Sequence, residues 1–264
     1  MLINKKIIII SISSDFGCSI YSNYLKSNII IGTYRRLNKK LLSISKNNNL
    51  FLKKVDLTKS KSIKNFCNYI LKNHKDWTHI IFCNGDLNPI EKFTKVKFEK
   101  WKNSLQINFL STINILNLIL KHNKQKRKLL FFAGNGTNSA VEYYSSYTLS
   151  KILLIKFTEL LDYEEKNIDV AILGPGWIKT KIHQSTLKSK IKKLKNKNFT
   201  KKIFKKNNKN DLNTLNLCID WIFKNSSKIS GRNISLKFDK WGCQSLLKRL
   251  KKDKNLYKLR RYGN

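Results

Sequence analysis

Tyr147 and Lys151 are the residues in this chain whose types and spacing are best suited to chemistry. They lie four positions apart in a helical pattern, and a helix places residues four apart on the same face. An ammonium group beside a phenol favours the phenolate and lowers the phenol pKa from its ordinary value of about 10. The pair therefore predicts a tyrosine acid/base that acts near neutral pH, with the lysine as its positively charged neighbour.

The pair has little weight by itself, because the chain holds 10 tyrosines and 54 lysines and arginines. A tyrosine followed by a lysine at this spacing is expected about once or twice by chance in such a composition. An exposed tyrosine and an exposed lysine on one helix are the alternative interpretation. Whether the surrounding chain builds a site around the pair decides between the two.

Seven short apolar segments predict strands that are buried on both faces, as in a parallel sheet. They are residues 7–12, 28–33, 51–55, 77–83, 129–133, 169–173 and 233–238. Helical patterns alternate with most of them, which predicts an α/β fold with a Rossmann-like, doubly wound parallel sheet of about seven strands and helices on both faces. Polar or glycine-bearing turns follow these strands, and this edge is where such folds bind ligands.

The predicted helices occupy the intervals between the strands. They are residues 18–25, 60–72, 98–122, a helix that contains Tyr147 and runs to about 166, and 212–224. No linker or repeat interrupts the pattern, so we expect one domain over residues 1–264. Residues 179–210 are rich in lysine and lack clear periodicity. They are either a solvated surface loop or a lid whose lysines meet an anionic substrate.

The chain of 264 residues carries a formal net charge of +38, which would suit a polyanionic partner. Most of this charge is lysine that accompanies abundant asparagine and isoleucine, a composition typical of AT-rich coding. The arginine clusters and interleaved aromatic residues of a nucleic-acid surface are missing. We therefore expect neither nucleic acid nor membrane as a partner, although the charge should attract anionic small molecules.

The cysteines predict reduced thiols and a cytoplasmic location, because their number is odd and no Cys-x-x-Cys motif occurs. They are Cys18, Cys67, Cys83, Cys218 and Cys243. The four histidines also lack metal-ligand spacing, so no metal site is expected.

The turn after the first strand resembles the phosphate-binding turn of the short-chain dehydrogenase/reductase family, Thr-Gly-x-x-x-Gly-x-Gly. Only the last glycine of that motif, Gly17, is retained, and Ser11 and Asp15 replace the other two. The following helix N-terminus and the small hydroxyl groups remain suited to a pyrophosphate. The resemblance implies cofactor contacts for Ser11, Ser13, Ser14, Asp15, Phe16 and Gly17.

Arg35 and Arg36 end the second predicted strand, eighteen residues after Gly17, where an NAD-preferring protein carries an acidic residue. Arginines at this place suit the 2′-phosphate of NADP through charge-assisted hydrogen bonds. NADP(H) is therefore favoured over NAD(H). Asp56, followed by Leu57, is similar to the family's contact with the adenine ring.

The remaining strand ends carry the resemblance over nearly the full length of the chain. Cys83-Asn84-Gly85 is similar to the family's Asn-Asn-Ala-Gly, and residues 175–180 match its Pro-Gly-x-x-x-Thr. These matches imply further cofactor contacts, near the nicotinamide in the case of the second motif. The residues concerned are Asn84, Gly85, Tyr147, Lys151, Pro175, Gly176, Ile178 and Thr180.

The resemblance also implies catalytic roles. Tyr147 would be the acid/base, Lys151 would lower its pKa and bind ribose, and Asn108 would support a proton-relay water. Gly134 stands where the family has its catalytic serine. Thr137, the nearest hydroxyl, or the backbone N–H groups of the glycine-rich turn would replace that serine.

Three functions follow from this resemblance. The first is an NAD(P)(H)-dependent oxidoreductase that interconverts a carbonyl and a hydroxyl group, with an anionic or sugar-related substrate as the expected class. The second is a catalytically reduced member that binds nucleotide as a scaffold or regulator. The third is a nucleotide-sugar epimerase or dehydratase. The family further implies a homodimer or homotetramer.

Overall fold

The computed structural model describes residues 2–121, 123–191, 194–205 and 209–261, and its centre is one seven-stranded sheet. All strand pairs are parallel, and the spatial order is β3-β2-β1-β4-β5-β6-β7. The strands are β1 (Lys6–Ile10), β2 (Ile29–Tyr34), β3 (Leu50–Lys54), β4 (His79–Phe82), β5 (Arg127–Phe132), β6 (Ile168–Gly174) and β7 (Arg232–Ser235). The predicted fold class is confirmed.

Helices connect the strands and cover both faces of the sheet. In chain order they are α1 (Asp15–Tyr24), α2 (Lys39–Ile44), α3 (Ser60–Asn73), α4 (Phe98–Leu105), α5 (Ser111–Leu120), α6 (Ser145–Glu164), α7 (Gln184–Lys188), α8 (Lys195–Phe204), α9 (Lys209–Lys224), α10 (Ser226–Ile229) and α11 (Gln244–Lys252). Short α2, α7, α8, α10 and α11 were not predicted from the sequence.

Strand β1 shows why these segments are apolar throughout. Ile7 and Ile9 belong to the hydrophobic core on one face of the sheet, and Ile8 and Ile10 belong to the core on the other face. Successive side chains of a strand alternate between faces, so a strand covered on both sides needs apolar residues at every position. The same strand borders the point where the chain order reverses, between β1 and β4, and ligands of this fold class bind at such a point.

The long helix predicted over residues 98–122 is divided in the structure. A π-helical turn, Gln106–Leu110, separates α4 from α5, and α5 ends at Leu120. The predicted end, residue 122, lies outside the described residues. A π turn widens the helix and frees backbone groups, and such turns occur frequently at functional sites. Asn108, the candidate relay residue, lies within this turn.

The lysine-rich segment contains two helices, α7 and α8, which were not expected from its sequence; its role as a solvated surface loop or a lid stays a prediction. Residues 192–193 and 206–208 of that segment lie outside the described residues. Leu194 and Thr200 are buried, which gives the segment a packed inner side despite its charge. Within the described parts of the chain, no helix combines the length and apolar character that crossing a membrane requires.

Candidate active site

Tyr147 and Lys151 lie in the first two turns of α6, beside the end of β5. Lys151 is buried, with 4% of its surface exposed, and its Nζ donates a hydrogen bond of 3.0 Å to the backbone carbonyl of Phe132. The same Nζ lies 5.7 Å from the centre of the Tyr147 ring, which is half-buried. The helix therefore brings the phenol and the ammonium group together, as the spacing predicted.

The electrostatics of the pair differ from the sequence expectation. Burial raises the pKa of Tyr147 to about 12, and burial lowers the pKa of Lys151 to about 8. Desolvation disfavours the charged form of each group, and this effect exceeds any stabilisation of the phenolate by the ammonium. The expected lowering of the phenol pKa is therefore not met, and the phenol of Tyr147 is protonated at neutral pH.

Gly134 forms the floor against which this pair packs. A Cβ atom at Gly134 would lie 2.8 Å from Cγ of Lys151, 2.9 Å from Cε1 of Tyr147 and 3.0 Å from its hydroxyl oxygen. These separations are shorter than a real Cβ accepts, so a side chain there would displace the phenol or the lysine stem. The close approach of Tyr147 to the end of β5 is therefore possible only because residue 134 has no side chain, and a serine there would prevent it.

The turn after Gly134 carries the candidate hydroxyl. Gly136 adopts φ +106°, and a Cβ there would lie 2.4 Å from Cγ2 of Thr148, so the turn requires glycine. Thr137 is partly exposed and lines the same cleft as Tyr147. The role of Thr137 as a substitute for serine stays a prediction.

One cleft of about 730 Å³ opens beside Tyr147 at the carboxyl ends of the strands. The predicted site residues that line it are Ser14, Asp15, Phe16, Asn84, Gly85, Thr137, Tyr147, Lys151, Pro175, Gly176 and Thr180. The predicted residues outside its lining are Ser11, Ser13, Gly17, Arg35, Arg36, Asp56, Leu57, Asn108 and Ile178. The sequence motifs after β1, β4, β5 and β6 therefore converge on one space.

The turn after β1 is built differently from a glycine-rich loop. Ser11 adopts φ +60°, and its N–H donates to Oγ1 of Thr33 at 2.9 Å. Ser14 caps α1 by accepting a hydrogen bond of 3.0 Å from the N–H of Gly17, so the helix begins at residue 15 rather than at the predicted residue 18. A Cβ at Gly17 would lie 2.7 Å from the backbone of Ile12, which explains why this glycine is retained.

Asp15 connects the two sides of the cleft. Its carboxylate accepts a hydrogen bond of 2.5 Å from the backbone N–H of Lys181, which follows β6, and lies 4.0 Å from the Lys181 ammonium. A carboxylate in the first turn of α1 is also favourable to the helix dipole. Asp15 thus holds the segment after β6 against the start of α1.

The adenine end of the predicted cofactor site lies beyond this cleft, beside β2 and β3. Arg35 and Arg36 are exposed at the end of β2. The hydroxyl and N–H of Thr58 hold the pKa of Asp56 below its usual value, and the charge of Arg35 contributes to the same effect. These contacts bring the predicted phosphate and adenine residues close enough to interact electrostatically.

Asn108 is fully buried, and its amide is used within the protein. Its Nδ2 donates to the carbonyls of Asp86 and Ser104, both at 2.9 Å, and its Oδ1 accepts from the N–H of Asp86 at 2.8 Å. Asn108 therefore fixes the segment after β4 to the π turn. Its part in a proton relay stays a prediction.

Several buried polar atoms of the cleft residues lack a hydrogen-bond partner among the described residues. They are Oδ1 of Asn84, Oγ1 of Thr148, Nδ1 of His183 and Oδ1 of Asn233. Unpaired buried polar atoms are uncommon because each costs about 1–3 kcal/mol. Six further atoms of this kind lie on residues outside the cleft lining, so the four at the cleft mark groups that a polar ligand would pair rather than a cluster peculiar to the site.

The sequence analysis missed the aromatic residues of the cleft. Phe199, on α8, and Phe238, after β7, both line it, as does His183. A signal was present for Phe199, because a large apolar side chain is unusual in so basic a segment. Periodicity could not show it, because the two segments meet only in the folded chain.

A parallel sheet of this order, with a tyrosine and a lysine at its switch-point cleft, defines the class of dinucleotide-binding α/β proteins. The family model "short chain dehydrogenase" matches residues 5–191. The chain belongs to the short-chain dehydrogenase/reductase family, as its motifs predicted.

Solved structures share this fold at low sequence identity. A short-chain dehydrogenase/reductase from Saccharomyces cerevisiae, YIR035C, superposes with a TM-score of 0.75, 18% identity, and coverage of 90% of this chain and 98% of the other. A Shigella flexneri short-chain dehydrogenase complexed with NADP gives a TM-score of 0.72 and 16% identity over 89% and 98% of the two chains. A variant of an actinorhodin polyketide ketoreductase with NADPH gives 0.73 and 15% over 88% and 95%.

Curated relatives match over part of their length. The uncharacterized oxidoreductase YIR035C of Saccharomyces cerevisiae is 24% identical over 126 residues, which are 47% of this chain and 50% of the relative. The dehydrogenase/reductase SDR family protein 7-like of Dictyostelium discoideum is 25% identical over 197 residues, which are 69% and 61% of the two chains. The matched regions thus span less than two thirds of either relative.

Replacing Gly134 tests the packing of Tyr147 and Lys151. We expect Gly134→Ala and Gly134→Ser to lower the free energy of unfolding by about 1–3 kcal/mol, because the added Cβ overpacks Tyr147 and Lys151. Denaturant titration measures this change. Gly174→Ala is the control, with an expected change within about 0.5 kcal/mol, since its Cβ would meet nothing nearer than 3.7 Å. A Gly134→Ser protein as stable as the parent would contradict the overpacking.

Proposed function

We propose that this protein is an NADP(H)-dependent oxidoreductase that reduces a carbonyl compound, with Tyr147 as the proton donor. The observation that carries the proposal is the convergence of Tyr147, Lys151 and Thr180 on one cleft at the switch point of the sheet. A bound nicotinamide would supply hydride to the carbonyl carbon. The residues of this chain would hold the substrate and move the proton.

The state of the phenol suits the role of proton donor. With its pKa raised to about 12, Tyr147 is protonated at neutral pH and would donate a proton to an oxygen that gains negative charge. The buried Lys151 ammonium, near the ring, would stabilise the phenolate left after transfer. The same pair would serve the reverse oxidation, with the phenolate as proton acceptor.

The residues of the cleft fit the nicotinamide end of the cofactor. Lys151 Nζ has one carbonyl partner and two further N–H groups that can donate to ribose hydroxyls. Oδ1 of Asn84 is buried and without a partner among the described residues, and Thr180 lines the cleft beside Pro175 and Gly176. These groups would orient the nicotinamide while the apolar walls exclude water.

Tyr147→Phe tests the catalytic part of the proposal. We expect kcat/KM for carbonyl reduction to fall about 10²- to 10⁴-fold, because the general acid is removed. NADPH affinity, measured by fluorescence titration, should remain within about threefold, since the ring is kept.

Tyr69→Phe is the matched control, because Tyr69 lies on α3 outside the lining of the cleft. Cofactor binding without Tyr147-dependent turnover would refute the enzyme and support a nucleotide-binding scaffold. Tightly bound cofactor that is reduced without added substrate would instead support an epimerase or dehydratase.

We further propose that Arg35 and Arg36 select NADP(H). Both are exposed at the end of β2, and Arg35 acts electrostatically on Asp56 across the adenine end of the site. A guanidinium group binds a phosphate through paired, charge-assisted hydrogen bonds, which NAD(H) cannot accept at this position.

Arg35→Glu should weaken NADPH binding about 10- to 100-fold, because hydrogen bonds to a charged group contribute about 1.5–3 kcal/mol. NADH binding should be unchanged or stronger, and fluorescence titration measures both affinities. Lys61→Glu is a control of equal charge change on the exposed surface of α3. Equal losses for NADPH and NADH would contradict the selective role.

A homodimer through α6 is the proposed assembly. Leu149, Leu153, Leu160 and Tyr163 are exposed on that helix, and their spacing places them on one face, which also carries Lys156 paired with Glu159. The opposite face of α6 packs on the sheet, so the helix is apolar on both sides. An apolar stripe that a second copy covers symmetrically explains this pattern.

Leu153→Glu should convert the dimer to monomers, because it places a charge in the middle of the apolar stripe. Size-exclusion chromatography with light scattering measures the mass. Leu217→Glu is the control, since Leu217 is 62% exposed on α9, away from the stripe. A parent protein that is monomeric at micromolar concentration would refute the assembly.

The proposed location is the cytoplasm. The five cysteines are free, and four of them are buried, which fits a reducing compartment.

A further inference from the structure

Aromatic rings form one wall of the cleft at its mouth. The Trp177 ring is stacked on His183, with ring centres 4.9 Å apart and planes at 13°. Phe199 meets the same indole edge-on, also at 4.9 Å. The stack fixes Trp177 and Phe199 relative to each other, so α8 presents a rigid ring to the cleft.

Two phenylalanines of this wall are unusually exposed. Phe199 has 45% and Phe238 has 80% of its surface exposed, and both line the cleft. Phe199 belongs to a segment that is otherwise lysine-rich, and Phe238 lies between Lys237 and Asp239. Exposed large apolar residues that gather at one cleft indicate a surface that a ligand covers.

The charge beside these rings is positive. Lys237 is exposed, lines the cleft, and its Nζ lies 5.5 Å from the centre of the Phe238 ring. A Cβ at Gly176 would lie 3.9 Å from Cβ of Lys237, which places this lysine beside the loop after β6. The cleft carboxylates are engaged elsewhere: Asp15 accepts from Lys181, and Asp86 accepts from Asn88.

We propose that the mouth of the cleft binds substrates in which a ring carries an acidic group, the ring lying on Phe199 and Phe238 and the acid contacting Lys237. This inference rests on the proposed function and specifies its substrate class: carbonyl compounds with a ring and a carboxylate or phosphate. An aromatic ring and a sugar ring share the chemistry of stacking on an aromatic surface, and the substrates tested separate the two.

NADPH oxidation by the full chain compares four compounds: phenylpyruvate, its methyl ester, pyruvate and methyl 3-ketoglucopyranoside 6-phosphate, a sugar locked as a ring that still carries a ketone. We expect kcat/KM for a ring-bearing acid to exceed that for ring-free pyruvate about tenfold or more. Phenylpyruvate as the preferred compound assigns an aromatic ring, and the ketosugar phosphate assigns a sugar ring. If kcat/KM for pyruvate equals that for both ring-bearing acids, the proposal is overturned.

Variants assign the effect to the named side chains. Phe199→Leu with Phe238→Leu keeps apolar volume but removes the rings, and should lower kcat/KM for the ring-bearing acid about three- to tenfold while pyruvate is unaffected. Phe93→Leu with Phe98→Leu is the matched control, because both are exposed outside the cleft lining. Equal effects of the two pairs would overturn the proposal.

Lys237→Gln should raise KM for phenylpyruvate about three- to fivefold and leave KM for the methyl ester unchanged. Lys240→Gln, exposed and outside the cleft lining, is its control. An equal effect on acid and ester would refute the acid contact. Unchanged NADPH affinity in Lys237→Gln confirms that the lysine serves the substrate, and weakened NADPH affinity contradicts that assignment.

Equilibrium binding separates this inference from the proposed function. If NADPH binds but no compound is reduced, calorimetry measures the binding of phenylpyruvate and of methyl 3-ketoglucopyranoside 6-phosphate to the NADP-bound protein. Binding that the leucine pair weakens about three- to tenfold supports the ring site even though the reductase proposal fails. No binding, or binding that the leucine pair leaves unchanged, overturns the ring site.

Discussion

The buried ammonium group of Lys151 is the constraint on which the site depends. Its pKa of about 8, against an ordinary value of 10.5, corresponds to roughly 3 kcal/mol of destabilisation of the charged form. The pKa of Lys151 is about 8 in the folded protein and 10.5 in the unfolded chain. Between these two values the unfolded chain binds more protons, so the free energy of unfolding rises as pH rises from about 8 towards 10.5, and the contribution of Lys151 is least favourable below pH 8. The ammonium group of Lys151 has three N–H groups, and only one of them donates to the carbonyl of Phe132. The other two can donate to a ligand, which would offset the free energy lost by burying the charge.

The parallel sheet explains why motifs that are distant in the sequence lie together around Lys151. Carboxyl ends of parallel strands meet at one edge, so the turns after β1, β4, β5 and β6 converge although long stretches of sequence separate them. Two contacts then hold the turns together: Asp15 with the N–H of Lys181, and Asn108 with the backbone of Asp86. The cleft is therefore fixed by hydrogen bonds between connections as well as by the core.

The sequence was sufficient for the fold and for much of the site, because both depend on local patterns. Continuous apolar segments such as residues 7–10 identify strands buried on two faces, and helical spacing identifies the Tyr147 and Lys151 pair. The pKa of Tyr147 was predicted in the wrong direction, since desolvation depends on atoms brought from elsewhere in the chain. The helices of the lysine-rich segment were missed because their packed side, with Leu194 and Thr200, is too short to produce a clear period.

The departures from the family pattern are accompanied by matching changes around them. At residue 134, loss of the serine side chain coincides with a phenol that packs where a Cβ would be. Where Ser11 replaces glycine, the backbone keeps a positive φ and hydrogen-bonds to Thr33. Where Asp15 replaces glycine, the carboxylate is neutralised by the Lys181 segment rather than left facing a phosphate. Each of the three replacements therefore has a partner in the surrounding structure, so the turns that line the cleft are packed and hydrogen-bonded without the glycines and the serine of the family pattern.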